Sequence, residues 1–296
     1  MGTSSSSGGP SGSGPGLLPP WAPEAPSPLP NAPAAPAASP QPAPAAPPAP
    51  QQSNPPPPAQ PSQPIDLPLP SVTWRSPKVS LGNYVGGKRG SSLGKVATGY
   101  VKASGGAKGA TLSSRSGRRA TATLAAFISD SIKNGVAEAA RRRGIPNITS
   151  LNVHDAIATI VEIIAPPGSR VEDAIARKAQ LETLRDIFEK FDIEAKGIDA
   201  LDALNESDME FVLQSSIANY INERFEQELI HRIEQSKISA EKANKISNEI
   251  KQYIFNVVKL DLSGLQPLQI DWENTQGQEI IENMYLKAFD LLGSEE

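Results

Sequence analysis

The sequence predicts a mainly α-helical bundle carried behind a long disordered arm. Three observations lead there. Proline is confined to one end: of 29 prolines, 24 lie in residues 1–70. The remainder carries apolar residues at helical spacing, interrupted by cap and stop signals. Finally, 296 residues contain no cysteine and two histidines, so neither disulfides nor a His/Cys metal site organises the fold.

Residues 1–15, MGTSSSSGGPSGSGP, are small and polar and read as flexible coil. Residues 16–70 are rich in proline and alanine. Proline lacks a backbone donor and fixes φ, so this stretch favours polyproline II over helix or sheet. Residues 1–70 therefore form the first region, disordered when the chain is alone, because they hold too little apolar surface to offset ordering entropy. Residues 71–119 form a second, a basic Gly-rich segment with short helical pieces. Within it Leu93, Val96, Tyr100 and Val101 suggest a short amphipathic helix.

Residues 120–296 form the third region, the helical domain. Leu124, Phe127, Ile128, Ile132 and Val136 make a first stripe, with a stop near Arg143, Gly144 past the end and Pro146 beyond. Ser150 or Asn152 caps a second helix that ends at Pro166-Pro167. Ser169 to Glu172 has capping-box spacing and opens a third, with a stripe from Val171 to Phe188. Asn205 or Ser207 starts the longest helix, to about Gln235, carrying Phe211, Ile221, Phe225 and Leu229 inward. Further helices are expected from Ser239 to about Val258 and from Thr275 to Leu292, with a loop or short strand over Leu260–Trp272.

Charge is unevenly spread. Residues 67–129 hold ten Lys or Arg and no acid, whereas residues 130–296 hold 18 basic and 30 acidic residues. Two readings stay open: the basic segment meets nucleic acid, or it folds onto the acidic helices. Arg115, Arg118 and Arg119 stand at i, i+3 and i+4 and share a face if their helix begins before Ala120. They are the candidate nucleic-acid contacts, expected to bind weakly and without sequence preference. Arg141-Arg142-Arg143 read as cations of a last helical turn.

Catalytic chemistry has little to work with. His154 and His231 lack any metal-binding spacing, no Gly-x-x-x-x-Gly-Lys-Ser/Thr loop occurs, and the acidic residues alternate with Lys and Arg as solvated helix faces do. No catalytic residue, metal ligand or cofactor is assigned. Nothing resembles a secretory signal or a membrane span, so a cytoplasmic protein without membrane attachment is expected.

The start of the chain carries a more specific signal. Gly2 is small enough for Met1 removal, which leaves a glycine α-amine with a pKa near about 7.7–8.0, partly unprotonated at neutral pH. The run MGTSSSSGGP, followed by Leu17-Leu18-Pro19-Pro20-Trp21, the basic Gly- and Tyr-Val-containing segment and the helices after it, resembles the QatB family of the bacterial Qat anti-phage system. The resemblance implies a non-enzymatic component of a four-gene module with an ATPase, a QueC-like (QatC-type) enzyme and a TatD-like nuclease. It further implies that Gly2 is the acceptor of a 7-deazaguanine conjugated by the QueC-like partner, with Thr3 and Ser4 completing the motif. A nucleic-acid-binding adaptor is the alternative.

Overall fold

A computed structural model describes residues 74–234, 238–259, 262 and 264–294. The arm expected over residues 1–70, with Gly2, Thr3 and Ser4, lies outside them. The described part is mainly α, a helical bundle, with no strand among the described residues. The expected strand-or-loop stretch after residue 259 is turns where it is described.

Among the described residues eleven α-helices follow one another: α1 Arg75–Val85, α2 Leu93–Ala103, α3 Gly106–Leu112, α4 Arg115–Asn134, α5 Val136–Arg142, α6 Val153–Ile164, α7 Val171–Lys190, α8 Ile193–Lys196, α9 Asp208–Glu234, α10 Ala240–Val257 and α11 Thr275–Ser294. Several begin where polar caps stand. Ser92, Asn152 and Ser239 each accept a hydrogen bond from the backbone N–H three residues on, opening α2, α6 and α10. Elsewhere the cap moves. Ser169 does not open α7; the Asp173 carboxylate instead accepts from the Arg170 N–H at 3.2 Å, so a one-sided cap sits one residue further on.

The helix expected to run from Ala120 to Arg143 is two helices. Gly135 adopts φ 87° between α4 and α5, a value L side chains rarely reach. Gly144 does end α5: it has φ 86°, and Ile145 N–H reaches back to the Ala140 carbonyl at 2.9 Å, closing a Schellman-type turn. At its other end, α4 passes without interruption through residue 120, where a region boundary was expected.

Residues 75–119 contribute to the same core as the helices after them. Leu81, Val96, Tyr100 and Ala110 are almost fully buried in one cluster with Phe127, Leu184, Ile221 and Phe289. The longest helix, α9, has 27 residues and spans about 40 Å. It packs on α1, α4, α7 and α10, while α11 packs on α2, α3 and α4. Along α9, Ile221, Phe225 and Leu229 are buried as expected. Phe211 is only half-buried, because near the start of α9 its cover comes from Phe191, at 6.1 Å between ring centroids, and the Lys190 ammonium, 3.6 Å from its ring centre. Val171, first in its stripe, is 65% exposed.

Polar groups cross the bundle centre in a chain. Tyr285 hydroxyl lies 3.0 Å from Thr121 Oγ1, which lies 2.7 Å from Ser216 Oγ, and Gln180 Nε2 donates to that oxygen at 2.8 Å. Such a network ties α4, α7, α9 and α11 to one mutual arrangement, since each misplaced partner would leave a buried group unpaired.

The entry to α11 is equally constrained. Asn274 caps it, accepting from Gly277 N–H at 2.8 Å. A Cβ on Gly277 would fall 2.3 Å from the Asp271 carbonyl oxygen and 2.5 Å from Trp272 Cα, both backbone atoms. Trp272 is buried and donates its indole N–H to the Pro267 carbonyl at 3.0 Å. Gly277→Ala is therefore expected to lower stability by about 1–3 kcal/mol in urea unfolding, through forced separation of these segments. An unchanged midpoint would mean that the turn before α11 yields freely.

Candidate functional site

Two neighbouring cavities of about 370 and 440 Å³ share Arg119, Ile164 and Pro166 and form one groove between α4 and the segment that follows α6. The segment's Pro166-Pro167 ends α6, and Gly168 follows. A Cβ on Gly168 would lie 2.2 Å from Asp173 Oδ2, so the loop can close against α7 only without a side chain there.

Because α4 begins at Arg115, ahead of Ala120, the three candidate arginines are helical. Their side chains do not all face one way. Arg118 turns toward α11, where it pairs with Glu282 and is half-buried. Arg115 and Arg119, one turn apart, are exposed and line the groove. Neither guanidinium has an ion-pair or hydrogen-bond partner among the described residues.

Arg170 joins them from the start of α7. Its guanidinium donates to Asp173 Oδ1 at 3.1 Å and to Ser116 Oγ at 3.3 Å, and Ser116 Oγ donates to the same Asp173 oxygen at 2.6 Å. The Ser116 hydroxyl and then the Arg170 guanidinium hold the Asp173 carboxyl below its usual range. Glu172, the residue first expected in the capping box, instead accepts from Ser116 N–H at 2.6 Å and from the Tyr220 hydroxyl at 3.2 Å. These contacts fasten the N-terminal turns of α4 and α7 together.

At the far end of the groove the arginine run is paired with carboxylates of its own surroundings. Arg141 and Arg142 bind Glu138, while Arg142 and Arg143 bind Asp130 at 2.9 and 2.7 Å. Partial burial raises the Asp130 carboxyl, but hydrogen bonds from Arg143 and Asn134 and the two arginine charges outweigh it, leaving the group below its ordinary value. Arg143 also donates to the Ala139 carbonyl at 3.1 Å, as a cation of the last helical turn should.

Elsewhere, His154 is exposed in the first turn of α6 and the side chain of His231 lies outside the described residues. No group of three or more metal-ligating side chains occurs among the described residues. No described helix is long and apolar enough to cross a membrane. Arg170, Ser116 and Asp173 were not singled out from the sequence. Ser116 lies more than fifty positions from Arg170 and Asp173 along the chain, and only the packing of α4 on α7 joins it to them.

Fold and groove together define a class: a helical-bundle protein with a long Pro-rich N-terminal sequence and a cationic, aliphatic-floored groove beside α4. The chain belongs to the QatB family. The family described as Qat anti-phage system associated protein QatB matches residues 105–292, from the turn before α3 into the last turn of α11. No curated protein and no solved structure matches the chain.

Proposed function

We propose that this chain is a non-enzymatic interaction protein of a Qat anti-phage complex, acting in the cytoplasm, whose N-terminal glycine accepts a 7-deazaguanine from a QueC-like partner. Membership of the QatB family carries the reading. The start Met1-Gly2-Thr3-Ser4 and the Pro-rich spacer behind it support the finer part. The amine of Gly2 attacks the deazaguanine carboxyl carbon after ATP has activated it; a C–N bond forms, the activating group leaves, and the amine proton passes to solvent or a base. Lysine amines, with pKa near about 10.4, are mostly protonated at neutral pH and compete poorly. The small residues after Gly2 suit a narrow active site. The spacer lets the acceptor reach it while the bundle stays docked elsewhere, and the ATPase and TatD-like nuclease of the module are the other expected partners.

The deciding measurement is the mass of the N-terminal peptide from cells carrying the whole module. A deazaguanine amide on Gly2 is expected; an unmodified Gly2 with defence intact would reduce the chain to a scaffold.

A second reading, a nucleic-acid-binding adaptor, draws on the eight exposed Lys and Arg among residues 75–119. Weak, sequence-independent, salt-sensitive binding is the expected result. Tight binding with a sequence preference at physiological salt would promote this reading over the first.

A further inference from the structure

The groove has an imbalance that its own residues do not resolve. In the cavity of about 370 Å³, Arg115, Arg119 and Arg170 face a single carboxylate, Asp173. Asp173 is already committed to Arg170 and Ser116. Two guanidinium charges are thus left without a counter-charge among the described residues. They stand one helical turn apart on the same side of α4. The arginines particular to the adjoining cavity differ in this respect, because Arg143 pairs with Asp130 and Arg142 with both Asp130 and Glu138.

Around these charges the walls are small and apolar: Ala120, Ile164, Ala165, Pro166 and Ala176. The floor is also set in advance. Two prolines restrict the loop, Gly168 admits Asp173 against it, and Ser116 and Glu172 tie α4 to α7. A fixed, partly apolar concavity with two unneutralised guanidiniums suits a compact dianion on a small organic body. A phosphate monoester has that charge, about −1.5 to −2 at pH 7. A duplex backbone fits less well. Its continuing strand would also have to pass Asp130 and Glu273 of the adjoining cavity, each of which repels phosphate.

We propose that the cleft between the N-terminal turns of α4 and α7 binds a phosphate monoester, with Arg115 and Arg119 gripping the phosphate, Arg170 held beside them by Asp173, and the Ile164–Pro166 wall covering an attached nucleoside-sized body. Two sources carry this group: a free nucleoside monophosphate, and the 5′-phosphorylated end of a nucleic-acid strand. The site does not depend on the modification of Gly2.

Calorimetric titration of the full chain with adenosine monophosphate at low salt tests the site, alongside adenosine and inorganic phosphate. Short single strands with a 5′-phosphate and with a 5′-hydroxyl separate the two sources. Saturable binding of the monophosphate is expected, with inorganic phosphate competing and adenosine much weaker. The double variant Arg115→Gln/Arg119→Gln should weaken it at least about tenfold, since two charge-assisted contacts are lost. Lys102→Gln/Lys108→Gln removes the same charge from exposed positions outside the groove and should change little. Circular dichroism of both variants checks that the bundle is intact. A 5′-phosphorylated strand binding better than its hydroxyl counterpart, and beyond the mononucleotide, would identify a strand end as the ligand. Equal binding of the two strands with no mononucleotide binding would overturn the proposal in favour of backbone recognition. No saturable binding at millimolar monophosphate and strand, or equal losses in both double variants, would overturn it outright.

Discussion

Changing Gly2 to tryptophan is expected to abolish both deazaguanine conjugation and phage defence while leaving the helical bundle folded. The effect is all-or-none because two requirements fail at once. A bulky second residue blocks removal of Met1, so the reactive amine sits one residue out of place. If Met1 is removed, the side chain crowds the nitrogen that must reach the activated carboxyl carbon. Gly2→Ala separates these causes: Met1 is still removed, and any loss then reports steric demand at the acceptor. Intact mass of the chain purified from cells with the complete module gives conjugation, and plating efficiency gives defence. Shortening the Pro-rich spacer modestly should do less harm, because a tether needs reach rather than sequence. Conjugation persisting on Gly2→Trp would move the acceptor elsewhere in the chain.

The second large effect concerns the core. Phe225→Ala is expected to cost about 3–5 kcal/mol of unfolding free energy, read from urea denaturation by circular dichroism. Phe225 is 4% exposed on α9, with its ring centroid 5.0 Å from that of Tyr100 on α2. Tyr100 in turn stacks edge-on with Trp74, at 5.8 Å, just before α1. Truncation at position 225 opens a cavity under both aromatic contacts, and the rigid rings of Tyr100 and Trp74 cannot collapse into it. The penalty therefore includes lost transfer energy, lost ring contacts and an empty volume. A loss below about 1 kcal/mol would show that this end of α9 repacks. Cleavage between the arm and α1 should become faster in the variant, since the α1–α2 pair rests on α9 through these rings.

The cationic segment meets the rest of the chain in a divided way. Arg118 reaches Glu282, and the Tyr84 hydroxyl donates to Glu249 at 2.7 Å, so the segment does dock onto acidic helices. Most of its cations nonetheless remain on the surface, free for a partner. Neither of the two readings open at the level of sequence excludes the other, because of the segment's cations docking takes Arg118 into an ion pair, while most of the rest stay exposed.

Much of this architecture was legible in the amino-acid order. Apolar residues three and four apart specify helices, and Asn152, Ser239, Gly144 and Pro166-Pro167 mark ends through hydrogen bonds and φ restrictions that act over a few residues. Local chemistry of that kind needs no knowledge of the fold. It falls short where competing local solutions are close in energy. Ser169 and Glu172 have good capping-box spacing, yet Arg170 and Asp173 form the pair, because Ser116 from α4 supplies Asp173 with a further hydrogen bond and takes Glu172 for its own backbone N–H. Gly135 likewise reads as an ordinary helical position until its φ of 87° appears between α4 and α5. Only the tertiary structure decided how the arginines are divided. The spacing of Arg115, Arg118 and Arg119 puts them on neighbouring positions of one helix, but α11 lies against one side of that helix and captures Arg118, while the Pro166-Pro167 segment borders the other and leaves Arg115 and Arg119 facing a cleft. Charge type and helical phase are properties of the chain. Whether a charge is neutralised depends on which distant carboxylate packing brings within reach, and that distance is set by the whole bundle.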